Sequence, residues 1–543
     1  MKSVKKLFLF IMVISLVFSV TACSDKKTER EPAVFAELNT PGSVIYVINK
    51  GDISDAEYLT VSSLQGITAQ IKPCIYIEDG GNIVFLEKYL KENDKIKLKR
   101  VSSVRELITE NSDFIKDKGV VLFDDGNNPT VNMAFTVSGI EGWLAVPLSL
   151  KAEIVVMGFE IKQDLTLKKN DKYILTQEDV FEKYKDKLNK NLVIHQSPEL
   201  ITLRDYGTAT SAFCFYTDEN DRAQISFRKK VFNWLNSNAV AFGWSADELG
   251  YVEQASKSGV AVVPSDHCSN LSLLSSIKLN EPIKQKNQFE EINPQENKHY
   301  IALVMSDGDN LQWYETTIPF REHYFDRVNS EADYKLSWTA PPSAYKLAPT
   351  VLDYVYSMAT DNDRFVCGVS GMGYINPTNY DRESLESFVD LSVSAMEAAD
   401  LQTITLLDNC KNSKRLGKSL MYFSSSDSIN GGLMQIEEKY EALNGEILFS
   451  GNKPFVSARR SFWFKSDNPD EQISKEWIEA FADEINSLPC DITSEAGYSY
   501  INIHPWSTSV EDLDYLVSQL DEHIEIVYAD ELVHMISQNV KNK

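Results

Sequence analysis

Tyr300-Ile301-Ala302-Leu303-Val304-Met305-Ser306-Asp307-Gly308-Asp309-Asn310-Leu311-Gln312 is the stretch on which the reading of the fold turns. The apolar run 301–305, bounded by polar residues, fits a strand buried on both faces. It breaks abruptly into two carboxylates, a glycine and an amide, where such a strand would emerge. In parallel α/β folds the loop beyond a strand's carboxyl end is where ligands and catalytic groups gather. Asp307 and Asp309 are two apart and would share a face of an extended backbone. A solvated Asp-Gly turn is the structural alternative.

Downstream the rhythm repeats. The run 334–338 leads into Thr339-Ala340-Pro341-Pro342, and 365–369 into Ser370-Gly371-Met372-Gly373-Tyr374-Ile375-Asn376-Pro377. The run 403–407 ends in Asp408-Asn409, and 433–436, 455–456, 500–503 and 524–528 are later strand candidates. Helical patterns lie between them, at 385–399 and 477–485. About eight strands in roughly 240 residues predict a (β/α) barrel over 297–543. In a barrel the groups after each strand converge on one mouth: Asp307, Asp309, Asn310, Gln312, Trp338, Tyr374, Asn376, Asp408, Asn409, His504, Trp506, Asp530 and Glu531.

Acids and amides hydrogen-bond hydroxyls, and aromatic faces pack on the apolar faces of a sugar ring, so this set suits a polyol. Glycoside hydrolysis needs two carboxyl groups, one protonated and one ionised. Asp307 and Asp309 are the first candidates, with Asp408 and Glu495 further ones. Trp338 and Trp506 could equally be core, and Asp530 a helix cap. His504 with Asp307 and Asp309 could hold a metal, as a deacetylase would require. However, His299 precedes the strand and His323 has no histidine partner at i+4, so neither metal nor cofactor is expected.

Upstream, 42–146 alternates short apolar runs (44–48, 73–77, 120–123) with amphipathic helices, as in an α/β sheet. A Lys- and Asp-rich segment, 165–192, follows. Runs at 213–216, 240–244 and 260–263 build a further unit, in which Asp247 and Glu248 open a helix. As N-terminal helix charges or as site groups these two are equally placed. The polar run 282–298 marks a boundary. The expected units are three N-terminal α/β domains, at 41–115, 116–198 and 199–290, and a barrel-like domain at 297–543.

The first 22 residues read as a leader, with Lys2, Lys5 and Lys6 ahead of an apolar stretch over 7–20. Val20-Thr21-Ala22-Cys23 resembles a bacterial lipobox, which predicts lipidation of Cys23, a tether over 23–40 and an extracytoplasmic protein anchored to a bacterial membrane. Net charge is −25, so a nucleic-acid partner is not expected. Hydrophobic residues make up 43%, enough for large cores. The six remaining cysteines are scattered singly without a CxxC, which indicates neither a disulfide framework nor structural zinc.

Gly371-Met372-Gly373-Tyr374-Ile375-Asn376-Pro377 resembles the signature of the GxGYxYP family of glycoside hydrolases, with Asn376 in place of the second tyrosine. Leu64-Gln65-Gly66-Ile67, Gly243-Trp244 with Asp247-Glu248, Ser306 to Asn310, and His504-Pro505-Trp506 are similar to that family too. The resemblance implies several small N-terminal α/β domains and a larger C-terminal hydrolase domain, and it names neither a substrate nor catalytic residues. Gly371 and Gly373 themselves permit positive φ or close approach of a ligand. The leading expectation is cleavage of a glycosidic bond by paired carboxylates. A carbohydrate-binding lipoprotein without turnover and a metal-dependent deacetylase are the alternatives.

Overall fold

Three small parallel sheets come before the barrel in the computed structural model, which describes residues 35–320, 324–465 and 473–541. The leader, Cys23 and His323 lie outside the described residues. The first sheet has the order β2-β1-β3, from β1 (Val44–Asn49), β2 (Ile75–Glu78) and β3 (Lys97–Arg100). The second is β5-β4-β6, from β4 (Gly119–Phe123), β5 (Leu144–Pro147) and β6 (Glu160–Asp164). A short hairpin, β7 (Lys168–Lys169) and β8 (Lys172–Tyr173), leads to the third sheet. That sheet is β10-β9-β11-β12, from β9 (Leu192–His195), β10 (Phe213–Phe215), β11 (Ala239–Gly243) and β12 (Val260–Val263).

Two boundaries differ from the sequence reading. Strand β9 pairs with β10 and β11, so the third unit begins before residue 199. Its four residues follow a charged segment and give almost no periodic signal. The expected tether does not run free to residue 40, because Phe35, Ala36 and Leu38 pack on the core. The Phe35 ring meets Phe242 edge-on, with centroids 6.0 Å apart.

The small units lock together through polar and close-packed contacts. Ser54 and Glu57 form a capping box that starts the helix Asp55–Ala69. Where that helix crosses Arg204–Ala209, a Cβ on Gly66 would fall 2.4 Å from the Thr208 Cβ, so the crossing needs a glycine. Asn270 docks the third unit on the first: its Oδ1 accepts the Ile77 N–H at 2.7 Å, and its Nδ2 donates to the Ile77 carbonyl at 2.9 Å.

The barrel strands are β13 (His299–Met305), β14 (Leu336–Ala340), β15 (Asp363–Cys367), β16 (Thr403–Asp408), β17 (Gly431–Ile436), β18 (Ile447–Ser450), β19 (Lys453–Phe462), β20 (Tyr498–Ile503) and β21 (Ile524–Ile526). Seven of them, β13-β14-β15-β16-β17-β19-β20, close into a parallel ring, with β18 antiparallel on β19. The expected eighth member, β21, pairs only with His299, Tyr300 and Ile301 at the base of β13, whereas β14 pairs with Val304 and Met305 near the mouth. Three residues of strand are too short to reach the mouth.

As expected, β13 is buried along its whole length. Tyr300, Ala302 and Val304 belong to an inner cluster with Leu433, Val456 and Tyr500, and Ile301, Leu303 and Met305 to the layer shared with the helices. Leu532, Val533 and Ile536 of the terminal helix Ala529–Asn539 join that inner cluster and seal the base of the ring. Gly431 leaves room for it, since a Cβ there would lie 2.6 Å from Val533 Cγ1.

Candidate active site

Ser306 donates its backbone N–H to the Ile503 carbonyl at 3.0 Å, which ties the loop after β13 to the end of β20. Asp307 is in the left-handed region (φ 64), uncommon for a residue with a side chain and frequent at functional loops. Gly308 donates its N–H to Thr339 Oγ1 at 2.8 Å, and a Cβ there would lie 1.7 Å from the Thr339 carbonyl oxygen. Gly368, just beyond β15, gives the same kind of clearance to Asp309: a Cβ on it would fall 2.9 Å from the Asp309 nitrogen. The loops after β13, β14 and β15 thus interlock around two bare backbone positions.

Above them is a cavity of about 380 Å3 lined by Asp307, Asp309, Asn310, Tyr374, His504 and Trp506 from the barrel, and by Trp244 and Glu248 from the third unit. Its floor includes Gln435, whose Nε2 donates to Tyr500 Oη at 2.7 Å and to Asn502 Oδ1 at 2.6 Å. The His504 ring stacks on Trp463, with centroids 3.9 Å apart and planes 6° from parallel. His504 Nε2 stands 3.9 Å from Asp307 Oδ2.

The signature loop joins the barrel to the third unit. Tyr374 and Val262, on edge strand β12, exchange both backbone bonds, at 2.7 and 3.0 Å. A Cβ on Gly371 (φ 114) would meet Ser392 Oγ at 2.4 Å, and one on Gly373 would lie 3.1 Å from Ala261 Cβ. Both glycines therefore serve packing, and neither lines the cavity. The Tyr374 hydroxyl donates to Glu437 Oε1 at 2.5 Å and lies 3.4 Å from Glu248 Oε1. Asn376 Nδ2 donates to the same Glu437 oxygen at 3.1 Å, so the residue in place of the second tyrosine helps to hold Glu437.

The carboxyl groups affect one another. Burial raises Asp307 to about 6, against hydrogen bonds from Trp506 and Ser306 that favour its charged form. Asp309 is pushed well above the usual carboxylate range by burial first, then by the charges of Asp307 and Glu248. Glu248 belongs to an exposed rim residue, yet its carboxyl is raised to about 6 by lost hydration and by Asp307. Glu437 is also raised to about 6 by burial, with Tyr374 and Asn376 opposing. An environment that keeps one carboxyl protonated beside one that ionises is the arrangement acid–base chemistry uses.

Other expected groups sit elsewhere. Trp338 is core: its ring packs edge-on to Tyr324 at 5.0 Å, and its Nε1 donates to Asp363 Oδ1 at 3.0 Å. Asp408 is consumed by its own surroundings, accepting Thr378 Oγ1 at 2.6 Å, the Thr378 N–H at 2.7 Å and the Cys410 N–H at 2.8 Å. Asn409 is exposed and accepts from Asn379, and Asp247 is exposed and caps its helix by accepting the Gly250 N–H at 3.1 Å. Glu495 precedes β20 and is therefore at the opposite end of the ring. Asp530 and Glu531 pair with Arg364 at 2.6 Å and Lys335 at 3.0 Å near strand starts, because β21 never reaches the mouth. Gln312 faces a neighbouring cavity. Glu437, Gln435, Tyr440 and Trp463 are additions; Glu437 directly follows β17, where the strand-end rule would have found it. Among the described residues no group of three or more His, Cys, Asp or Glu is gathered as a ligand set, and the described cysteines are unpaired.

Four family models cover the units in turn: the GxGYxYP first domain at 44–113, the second at 118–188, the third at 190–276, and the GxGYxYP putative glycoside hydrolase C-terminal domain at 297–537. The chain belongs to the GxGYxYP family. In this member of the GxGYxYP family, the signature loop is thus the seam between the third unit and the barrel. The crystal structure of a putative hydrolase from Bacteroides thetaiotaomicron is similar over 95% of this chain and 98% of that one, at 26% identity and a TM-score of 0.82. No curated protein matches.

Close to the site, Glu315 is buried and raised to about 8, chiefly by burial. Its carboxyl accepts the Ser269 N–H at 3.1 and 3.2 Å. The native state holds a proton that the unfolded chain releases at its ordinary value of about 4.5. This contribution is therefore complete below that value and is lost as pH rises through about 8. Glu315→Gln is expected to flatten the fall in Tm over that window, as measured by calorimetry at stepped pH.

Proposed function

We propose that the mouth hydrolyses a glycosidic bond, with Asp309 as the proton donor and Asp307 as the ionised partner that attacks or activates water. The carrying observation is the pairing of two carboxyls on one interlocked loop and in one cavity, where burial and the charge of Asp307 push Asp309 well above the usual carboxylate range while Asp307 is raised to about 6. The aromatic rims Trp244 and Trp506 and the amides Asn310 and Gln435 suit a sugar's faces and hydroxyls. Tyr374, whose hydroxyl proton is given to Glu437, leaves an oxygen lone pair in the cavity lining to accept from a sugar hydroxyl. Membership of a family described by glycoside hydrolysis supports the same reading.

Mass spectrometry of glycan mixtures incubated with the protein tests this. New reducing ends that vanish in the Asp307→Asn, Asp309→Asn double variant are the expected result; bound glycan without product would make the protein a binder. Once a substrate is in hand, kcat/KM should rise as Asp307 loses its proton near pH 6 and fall again at higher pH as Asp309 loses its own. A profile rising towards acid pH through this range would reverse the assignment.

We further propose export and lipidation at Cys23, supported by the basic, apolar and small-residue order of 1–23. Labelling with a palmitate analogue, lost in Cys23→Ala, is the check.

A further inference from the structure

A second cavity, of about 420 Å3, lies beside the mouth and shares Asn310 and Trp506 with it. Its walls come from three units: Lys50 and Asp79 from the first, His267 and Ser269 from the third, and Trp313 and Glu315 from the short barrel helix Leu311–Thr316 after β13. Hydroxyls, amides and aromatic rings predominate, and the charges offset one another, since Lys50 pairs with Asp79 at 2.7 Å. Burial keeps Glu315 largely protonated near neutrality. Trp506 stands at the joint, 57% exposed, its ring 5.4 Å from that of Trp313.

We infer that this cavity is a second subsite for a neutral sugar, continuous with the mouth, so that the substrate is an oligosaccharide whose units straddle Trp506. The inference rests on the carbohydrate reading above and goes further in setting the length and charge of the ligand. Each cavity has the size of a small-molecule site, and the two shared residues let one ligand run from one into the other. An exposed indole at that joint offers the flat apolar face on which sugar rings stack. A uronate or sulfated unit would meet Asp79 and Asp307 without a free cation to balance it among the described lining residues. The first and third N-terminal units thereby gain a role, since they build the distal wall.

The test uses the full mature chain carrying Asp309→Asn, so that bound glycan survives. Calorimetry would follow β-1,4-linked oligomers of glucose, N-acetylglucosamine, xylose and mannose, from disaccharide to hexasaccharide. In at least one series, affinity should rise tenfold or more between disaccharide and tetrasaccharide. His267 is 57% exposed at its side chain, so His267→Trp fills the cavity without entering the core, and should bring the tetrasaccharide-to-disaccharide ratio to within twofold of one. Trp506→Ala should do the same. Affinity independent of length, or a ratio unchanged in His267→Trp, overturns the second subsite alone. Failure of every series to bind overturns it together with the carbohydrate reading.

Discussion

Asp309→Asn is expected to lower kcat on an unactivated glycoside by about 10²–10⁴-fold, the usual contribution of a positioned proton donor. The substitution keeps shape and removes only the ability to give up a proton. Burial and the charges of Asp307 and Glu248 all oppose ionisation of Asp309, which is why the proposed mechanism gives it the proton while Asp307 ionises. Two further consequences separate catalysis from damage. A substrate with a nitrophenyl leaving group needs little protonation, so the variant should recover most of its rate there. The high-pH limb of the rate profile should also vanish. Asp307→Asn should show neither rescue. If Asp309→Asn cut both substrates equally and left the profile bell-shaped, proton donation would belong to another group, with Glu248 next in place.

The second large effect is expected from Gly308→Ala, a change of one methyl group. A Cβ at this position would lie 1.7 Å from the Thr339 carbonyl oxygen, and that end of β14 is held because Thr339 Oγ1 donates to the Met305 carbonyl at 2.8 Å. Neither backbone can yield cheaply, so the carboxylate loop must lift. Overpacking of this kind costs roughly 1–3 kcal/mol, and displacement of reacting groups by about 1 Å can cost about 100-fold in rate. The variant should therefore lose several degrees in Tm and at least that factor in kcat. Gly417→Ala is the control: its Cβ would meet nothing within 4 Å in the helix Ser413–Ser424, and alanine there should stabilise by about 0.5–1 kcal/mol. If Gly308→Ala behaved like the control, the interlocked loop would not be what places Asp307 and Asp309.

How much of this was legible in the chain depends on locality. The apolar run into Asp307-Gly308-Asp309 announced a strand and its polar exit, because both signals lie within a dozen residues. Asp307, Asp309, Asn310, Tyr374, His504, Trp506 and Glu248 do meet in one cavity. Asp408 ends β16 and clamps Thr378, whereas Trp338 lies in the middle of β14, two residues short of its end, and turns into the helix layer; where a strand stops and which side a residue faces are set by partners far off in sequence. The closing of the ring with seven strands was likewise invisible, since β21 carries a strand's composition and falls short only in length. The glycines of the signature pointed to close approach, and the approach is to Ser392 and Ala261, parts of the protein itself.

The terminal helix that stoppers the base of the ring has one more implication. With Leu532, Val533 and Ile536 packed among the inward-facing strand residues, the channel is a blind cup, so nothing can be threaded through it. Whatever enters must leave by the mouth through which it came. A long polymer would thus be worked from its tip or laid across the rim, with one fragment leaving before the next arrives.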